Sequence, residues 1–259
     1  MYCDSHCHLD WLLKKGLSID EEIKKAKGKN LKFVVQSIDS FEDNFSNINL
    51  AKRYPNFVFL LSGVHPQKST EVKEGWFEKL ESLIIRNQDL IVGIGEIGID
   101  LHYENLKENL KNQTEVFERC VDLAIKLSIP VSVHSWDSFD ETFEVLKKYK
   151  GKVSGVIHSF SYGKEEAKRI VSELDFFISF TGSLTYPKNY SLREALRSIP
   201  KDKIICETDA PFMPPQKFRG KPNSPHLVTE IYDFIEKEIG LEKETITNNS
   251  FNLFRVKTF

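Results

Sequence analysis

Short apolar runs alternate with helical patterns from one end of this chain to the other, and that rhythm restricts the fold more than any other feature. Runs at Met1–Cys7, Lys32–Ile38, Val58–Val64, Ile91–Ile97, Val131–His134, Val153–Ile157, Phe176–Phe180 and Lys203–Cys206 read as strands. Several are continuously apolar instead of alternating, as expected of strands covered on both faces in a parallel sheet. Helices are expected over Phe77–Arg86, Glu104–Leu127, Asp137–Lys148, Lys164–Leu174, Leu192–Ser198 and His226–Ile239, with a weaker pattern over the Asn-rich Ser40–Tyr54. Val116, Cys120, Leu123 and Leu127 keep three- and four-residue spacing, which gives one apolar stripe. The Lys-rich run from Glu21 to Lys29 reads as a solvated helix face.

Eight strand–helix units in 259 residues fit the size of a (β/α)8 barrel. No Gly/Ser-rich linker, composition shift or internal repeat divides the chain, so residues 1–259 are expected to form one domain. A doubly wound open sheet is the competing architecture. Ligand-type side chains separate the two, because they fall at the ends of the first, fourth, fifth, sixth and eighth strands. Only a closed sheet brings those ends together readily. The expected fold is therefore α/β, a single (β/α)8 TIM-type barrel with its active site at the C-terminal rim of the strands.

Those side chains begin with Asp4-Ser5-His6-Cys7-His8. Residues two apart on a strand share a face, so His6 and His8 can present two imidazoles to one ion while Cys7 turns away. Glu96 stands in Gly93-Ile94-Gly95-Glu96-Ile97-Gly98, His134 follows Pro130-Val131-Ser132-Val133, His158 follows Val156-Ile157, and Asp209 lies in Cys206-Glu207-Thr208-Asp209-Ala210-Pro211. Any one of them alone reads as a structural residue. Together, at equivalent strand ends, they point to metal. Six N and O donors exceed what one tetrahedral ion needs. Two divalent ions are expected, with Glu96 bridging, His6, His8 and Asp209 on one, and His134 and His158 on the other. Imidazole-rich ligation suits zinc, manganese or iron better than calcium, and magnesium is also kept as a candidate. Asp209 could orient or deprotonate a bound water. Glu207 shares its parity and is read either as a partner behind the ligands or as a buried salt-bridge residue. His65, in Gly63-Val64-His65-Pro66, could bind substrate phosphate or lock a turn, whereas His102 and His226 read as surface or packing residues.

Composition narrows the setting. Hydrophobic content of 40% and charged content of 29% are those of a soluble globular protein. The chain has no run of about 18 apolar residues, and its N-terminus has no basic-then-apolar signal pattern. Cys3, Cys7, Cys120 and Cys206 show no paired C-x-x-C spacing, so reduced thiols and a cytoplasmic location are expected. A net charge of −2 argues against coating nucleic acid by bulk electrostatics. It leaves room for an enzyme that grips a few phosphates through metal ions and a local basic loop. No obligate protein partner is implied.

These residues sit in blocks that resemble the TatD family of metal-dependent deoxyribonucleases, within the wider metal-dependent hydrolase barrels. The blocks are DSHCHLD at 4–10, GVHP at 63–66, GEIGID at 95–100, VSVHS at 131–135, HSFS at 158–161, ISFTG at 178–182, ETDAPF at 207–212 and RGKPNSP at 219–225, with Asn249 through Phe254 as a closing element. The resemblance implies a TIM-type barrel, divalent-metal phosphodiester hydrolysis, and His6, His8, Glu96, His134, His158 and Asp209 as ligands. The chain departs from the family in two places. Trp136 stands where the family often has Arg, which touches one expected phosphate contact, and Ser159 stands where it often has Cys.

The function expected is a TatD-like deoxyribonuclease that cleaves DNA ends or single strands, RNA being also open, through a water activated on paired metals. Asp209, Glu96 and Glu207 carry the catalytic reading. Lys217, Arg219 and Lys221, in a Pro-rich loop after the eighth strand, could hold phosphates with Asn223 as a polar contact. Trp136, Phe160, Tyr162 and Phe212 closely follow ligand-type residues and could stack on bases. An amide- or ester-hydrolysing relative, such as an amidohydrolase or a D-aminoacyl-tRNA deacylase, is the alternative. Such relatives often bridge their metals with a carbamylated Lys on the fourth strand, and Glu96 at that place leans toward the nuclease. A non-catalytic barrel that binds a partner would be expected to have lost a ligand, and none is lost.

Overall fold

A computed structural model describes residues 1–38 and 44–256. Eight strands, β1 (Tyr2–Cys7), β2 (Leu31–Ile38), β3 (Val58–Ser62), β4 (Ile91–Asp100), β5 (Val131–Trp136), β6 (Gly155–Ile157), β7 (Phe177–Phe180) and β8 (Ile204–Cys206), pair in sequence order. Every pair is parallel. Just beyond β8 the chain returns to β1 through a parallel bridge between Cys7 and Ala210. His8 N donates to Ala210 O at 2.7 Å, and Asp209 N donates to His6 O at 3.0 Å. Asp4 staples the same seam, its carboxylate accepting from Thr208 N at 2.8 Å and Thr208 Oγ1 at 2.6 Å. The sheet is a closed barrel, and the open-sheet alternative is excluded.

Element boundaries shift where tertiary pairing extends a strand or a side chain interrupts a helix. The fourth strand runs on to Asp100 and the fifth to Trp136, because Gly98, Ile99 and Asp100 pair with His134, Ser135 and Trp136. The segment expected as one helix over Glu104–Leu127 is two, Glu104–Lys107 and Leu110–Leu127, with Asn109 at the cap between them. Gln113 fixes this junction: its Oε1 accepts from Asp100 N, and its Nε2 donates to the carbonyls of Asp100 and Leu106. Over the expected Ser40–Tyr54 helix, Asn44–Arg53 is helical, while residues 40–43 lie outside the described residues. Among the described residues no helix is long and apolar enough to cross a membrane. All four cysteines are buried free thiols.

The barrel's two ends differ. Cys3, Phe33, Val35, Phe59, Leu61, Val156 and Ile205 form one apolar cluster with Leu253 and Phe254. These strands stand on opposite sides of an eight-stranded ring, so they can share a cluster only through its interior. The helix Lys243–Phe254, which no strand–helix pattern in the sequence anticipated, closes the N-terminal end of the barrel. Thr247 Oγ1 donates to Met1 O, and Asn249 Nδ2 donates to the carbonyls of Lys201 and Ile204, at the starts of β1 and β8. Each fully buried Phe or Leu contributes about 1.5–3 kcal/mol there. The second and larger cluster lies between the strands and the surrounding helices. The C-terminal rim of the strands is left for polar residues.

Candidate metal centre

Imidazole nitrogens and carboxylate oxygens from six points in the chain converge at that rim. His6 Nε2 lies 3.3 Å from Glu96 Oε2 and 3.3 Å from His8 Nε2. His8 Nε2 is 3.4 Å from Asp209 Oδ1. On the other Glu96 oxygen, His134 Nδ1 stands at 2.6 Å, His65 Nε2 at 3.4 Å and His158 Nε2 at 3.6 Å. Strand parity accounts for the first pair: Cys7 turns away, its Sγ toward Val35 O, while His6 and His8 face one centre. Asp209 sits at φ +53°, a left-handed backbone that Asp tolerates better than most residues. That conformation turns its carboxylate back toward His8.

Among the described residues, three groups of donors could each hold a metal ion: His6, Glu96 and His158; His6, His8 and Asp209; and His65, Glu96 and His134. The six residues singled out from the sequence are all brought together, and His65 joins them. His134 and His158, expected on one ion, both face the same Glu96 oxygen, with ring centroids 6.4 Å apart, while the rings of His6 and His158 stack at 3.7 Å. Carboxylates stand behind both imidazoles. Glu207 Oε1 is 2.7 Å from His158 Nδ1 and draws that ring toward β8, while Asp100 Oδ2 is 3.5 Å from His134 Nε2 on the far side. Glu207 also accepts from Ser159 N at 2.6 Å, and Gln67 Nε2 donates to Asp100 at 2.9 Å. A carboxylate on the second nitrogen of a histidine is the usual support of a metal-ligating imidazole, so the donor set fits a divalent cation. Asp100 and Gln67 were not singled out from the sequence. Asp100 is four residues beyond Glu96 on one strand, and that shared parity is the signal that could have found it.

Electrostatics agree. Burial pushes the Glu96 carboxyl up, but His158, His65, His134 and His6 together hold it well below the usual carboxylate range. Burial also opposes ionisation of Asp209, and His8 and His158 more than offset it. His6 is lowered by burial and by His158. His134, despite burial, is raised to about 9 by Asp100 and Glu96, and His158 to about 10 by Glu207 and Glu96. With no ion bound, protons on these imidazoles balance a carboxylate-rich centre, which is the charge a divalent cation would bring.

The sequence profile of the TatD-related DNases matches residues 3–256. The chain belongs to that family. YcfH of Escherichia coli K12, named an uncharacterized metal-dependent hydrolase, is 31% identical over 98% of this chain and 95% of its own length. MG009 of Mycoplasma genitalium, named likewise, is 32% identical over 98% of both. Among solved structures, the TatD homologue YjjV of Escherichia coli K12 superposes with a TM-score of 0.87, at 25% identity over 99% of this chain and 98% of that one.

In this TatD-family barrel the ligand-type residues floor a cavity of about 810 Å3. Trp136, Tyr103, Trp11, Phe212 and Met213 stand in its walls. Several side chains expected to touch substrate do not reach it. Ser159 adopts φ +45°, so the chain turns just after His158 and sends Phe160 into the core, buried between Tyr162 and Phe180. Asn223 is fully buried and spends its groups on the protein, donating to the carbonyls of Thr208 and Phe212 and accepting from Ser224 N. It clamps the loop carrying Asp209 and has no donor left for phosphate. Tyr162 is likewise committed, its hydroxyl meeting Ser135 Oγ and accepting from Ser138 N. Arg219 and Lys221 are exposed on the loop outside the cavity wall, Arg219 over the ring of Tyr186, and Lys217 lies 3.5 Å from Glu230. His65 does more than lock a turn: its Nδ1 accepts from Gln67 N while its Nε2 faces Glu96.

Proposed function

We propose that this protein is a divalent-metal-dependent phosphodiester hydrolase that acts on DNA, at strand ends or single-stranded segments. The observation that carries the reading is the convergence of His6, His8, His65, His134 and His158 on Glu96 and Asp209 at the open end of the barrel, at the floor of a cavity large enough for a nucleotide. Membership of the TatD-related DNase family supports phosphodiesters as the bond class.

His6, His8 and Asp209 would hold one ion and His134 and His158 another, with Glu96 between them and His65 beside the second. Bound divalent ions would supply Lewis acidity at a phosphate oxygen and make a water more acidic. The protein's own groups then have separable tasks. Glu96, kept ionised by the imidazoles around it, offers one oxygen to each side of the centre. Asp209, ionised and facing the cavity, is placed to accept a proton from the attacking water at its carboxylate. Glu207 and Asp100, against the second nitrogens of His158 and His134, would act on the reaction by orienting those imidazoles. Buried reduced thiols suit a cytoplasmic setting.

The test is cleavage of end-labelled single- and double-stranded oligonucleotides by protein stripped with a chelator and then reloaded with zinc, manganese or magnesium. Product ladders that appear only after reloading support the reading. Reloaded protein that leaves every phosphodiester intact, yet hydrolyses an amide or carboxylic ester, would overturn it.

A further inference from the structure

One wall of the cavity is a braced aromatic plane. Trp136 ends β5 two residues beyond His134, so both side chains leave the strand on the same face. The indole is only half-buried and lines the cavity. Behind it the His102 ring lies almost parallel, with centroids 4.0 Å apart and planes at 13°. His102 is in turn fixed, its Nδ1 2.8 Å from Asp137 Oδ2 and its backbone N donating to Asp100 Oδ1 at 2.9 Å. Tyr103 meets the indole edge-on at 6.0 Å. Two aromatic rings stacked this way, tied down by a carboxylate and standing on exposed surface, need a reason. Core packing does not supply one.

We propose that Trp136 is a stacking platform for the unpaired base next to the phosphate held at the metal centre, with His102 and Asp137 as positioning residues that keep the indole flat. This rests on the phosphodiesterase reading and sharpens its substrate class: a nucleotide whose base is free of its partner strand. His102 fills one indole face, so the other is what Trp136 presents to the cavity. Phe212, exposed and on the loop beyond β8, lines the same cavity with its ring edge-on to His8. A base that enters this cavity to lie on the indole leaves its partner strand outside. Every base has a flat π-face, so the platform selects for a base over none and not for one base over another.

The experiment measures binding without turnover. Metal-reconstituted protein is titrated with deoxyadenosine 5′-monophosphate and, separately, with 2-deoxyribose 5-phosphate, which has the same phosphate and sugar but no base. Wild-type protein should bind the nucleotide about 5- to 150-fold more tightly, the range that one stacked base gives. Trp136→Ala should bring that preference down toward one while leaving the affinity for 2-deoxyribose 5-phosphate unchanged. Trp136→Phe, which keeps a ring and the fold, should retain most of it, and His102→Ala should give an intermediate ratio. In a Trp11→Phe, Trp76→Phe background, Trp136 is the remaining indole, and its fluorescence should respond to the nucleotide alone. Equal affinity of wild type for the two probes, or an unchanged preference in Trp136→Ala, overturns the platform and leaves the phosphodiesterase reading intact. Binding of neither probe overturns both.

Discussion

The two ends of the barrel solve opposite problems with the same eight strands. At the N-terminal end, Phe33, Phe59 and Leu61 meet Leu253 and Phe254 in an apolar plug, and the polar groups nearby, such as Asn249, are fully engaged with backbone. At the C-terminal end, five histidines and two carboxylates crowd one centre, and the backbone takes up left-handed conformations at Asp137, Ser159 and Asp209. Sparsely populated backbone of this kind persists where surrounding structure holds it. For Asp209 the closed seam between β1 and β8, stapled by Asp4 and Thr208, does so, and for Ser159 the Glu207 carboxylate that accepts from its N. The contrast teaches that the plugged end secures the fold and frees the rim to carry an arrangement that would be unstable alone.

Substitutions that act on one end only should break this division of labour if it is wrong. Glu96→Ala should lower metal-dependent cleavage roughly 1000-fold or more, while the chelated protein melts within a few degrees of wild type. A collapse of the melting temperature would show that the rim also holds the fold. Phe33→Ala at the plugged end should cost about 3–5 kcal/mol of stability in denaturant titration, with the metal content and kcat of the folded fraction unchanged. Glu207→Gln preserves shape but removes the charge behind His158, and should weaken metal binding about 10- to 100-fold in competition with a chromogenic chelator. An unaltered affinity would reduce Glu207 to packing. The smallest effect concerns protons. His134 and His158, at about 9 and 10, are both protonated at pH 7 in the metal-free protein, so loading must expel protons and metal affinity must fall as pH is lowered. Calorimetry in buffers of different ionisation enthalpy should register at least one proton released at pH 7, and none would remove these imidazoles from the ligand set.

Much of this was legible in the residues themselves. Continuous apolar runs spaced by helical patterns specified parallel strands, and ligand-type residues at the ends of non-neighbouring strands required closure. Both follow from local periodicity, which a sequence carries directly. What was lost lay where the chain leaves regular structure. Phe160 was expected at the substrate because it follows His158 closely, but the left-handed turn at Ser159 reverses its direction. Asn223 looked like a phosphate contact, yet its hydrogen bonds close a loop whose path no local pattern encodes. His102 was read as surface or packing, and only the pairing of Asp100 with Trp136 at the ends of β4 and β5 brings its ring against the indole.

The sequence by itself determined the barrel and the identity of the six converging donors, because strand parity and strand order are properties of the chain alone. Tertiary structure decided how each imidazole is oriented, that His65 joins the donors, and which aromatic rings face the cavity. Those outcomes depend on where Glu207 and Asp100 pull the imidazoles and on which way each strand-end turn sends its next side chain. Both are set by contacts between segments far apart in sequence, such as the 2.7 Å approach of Glu207 to His158.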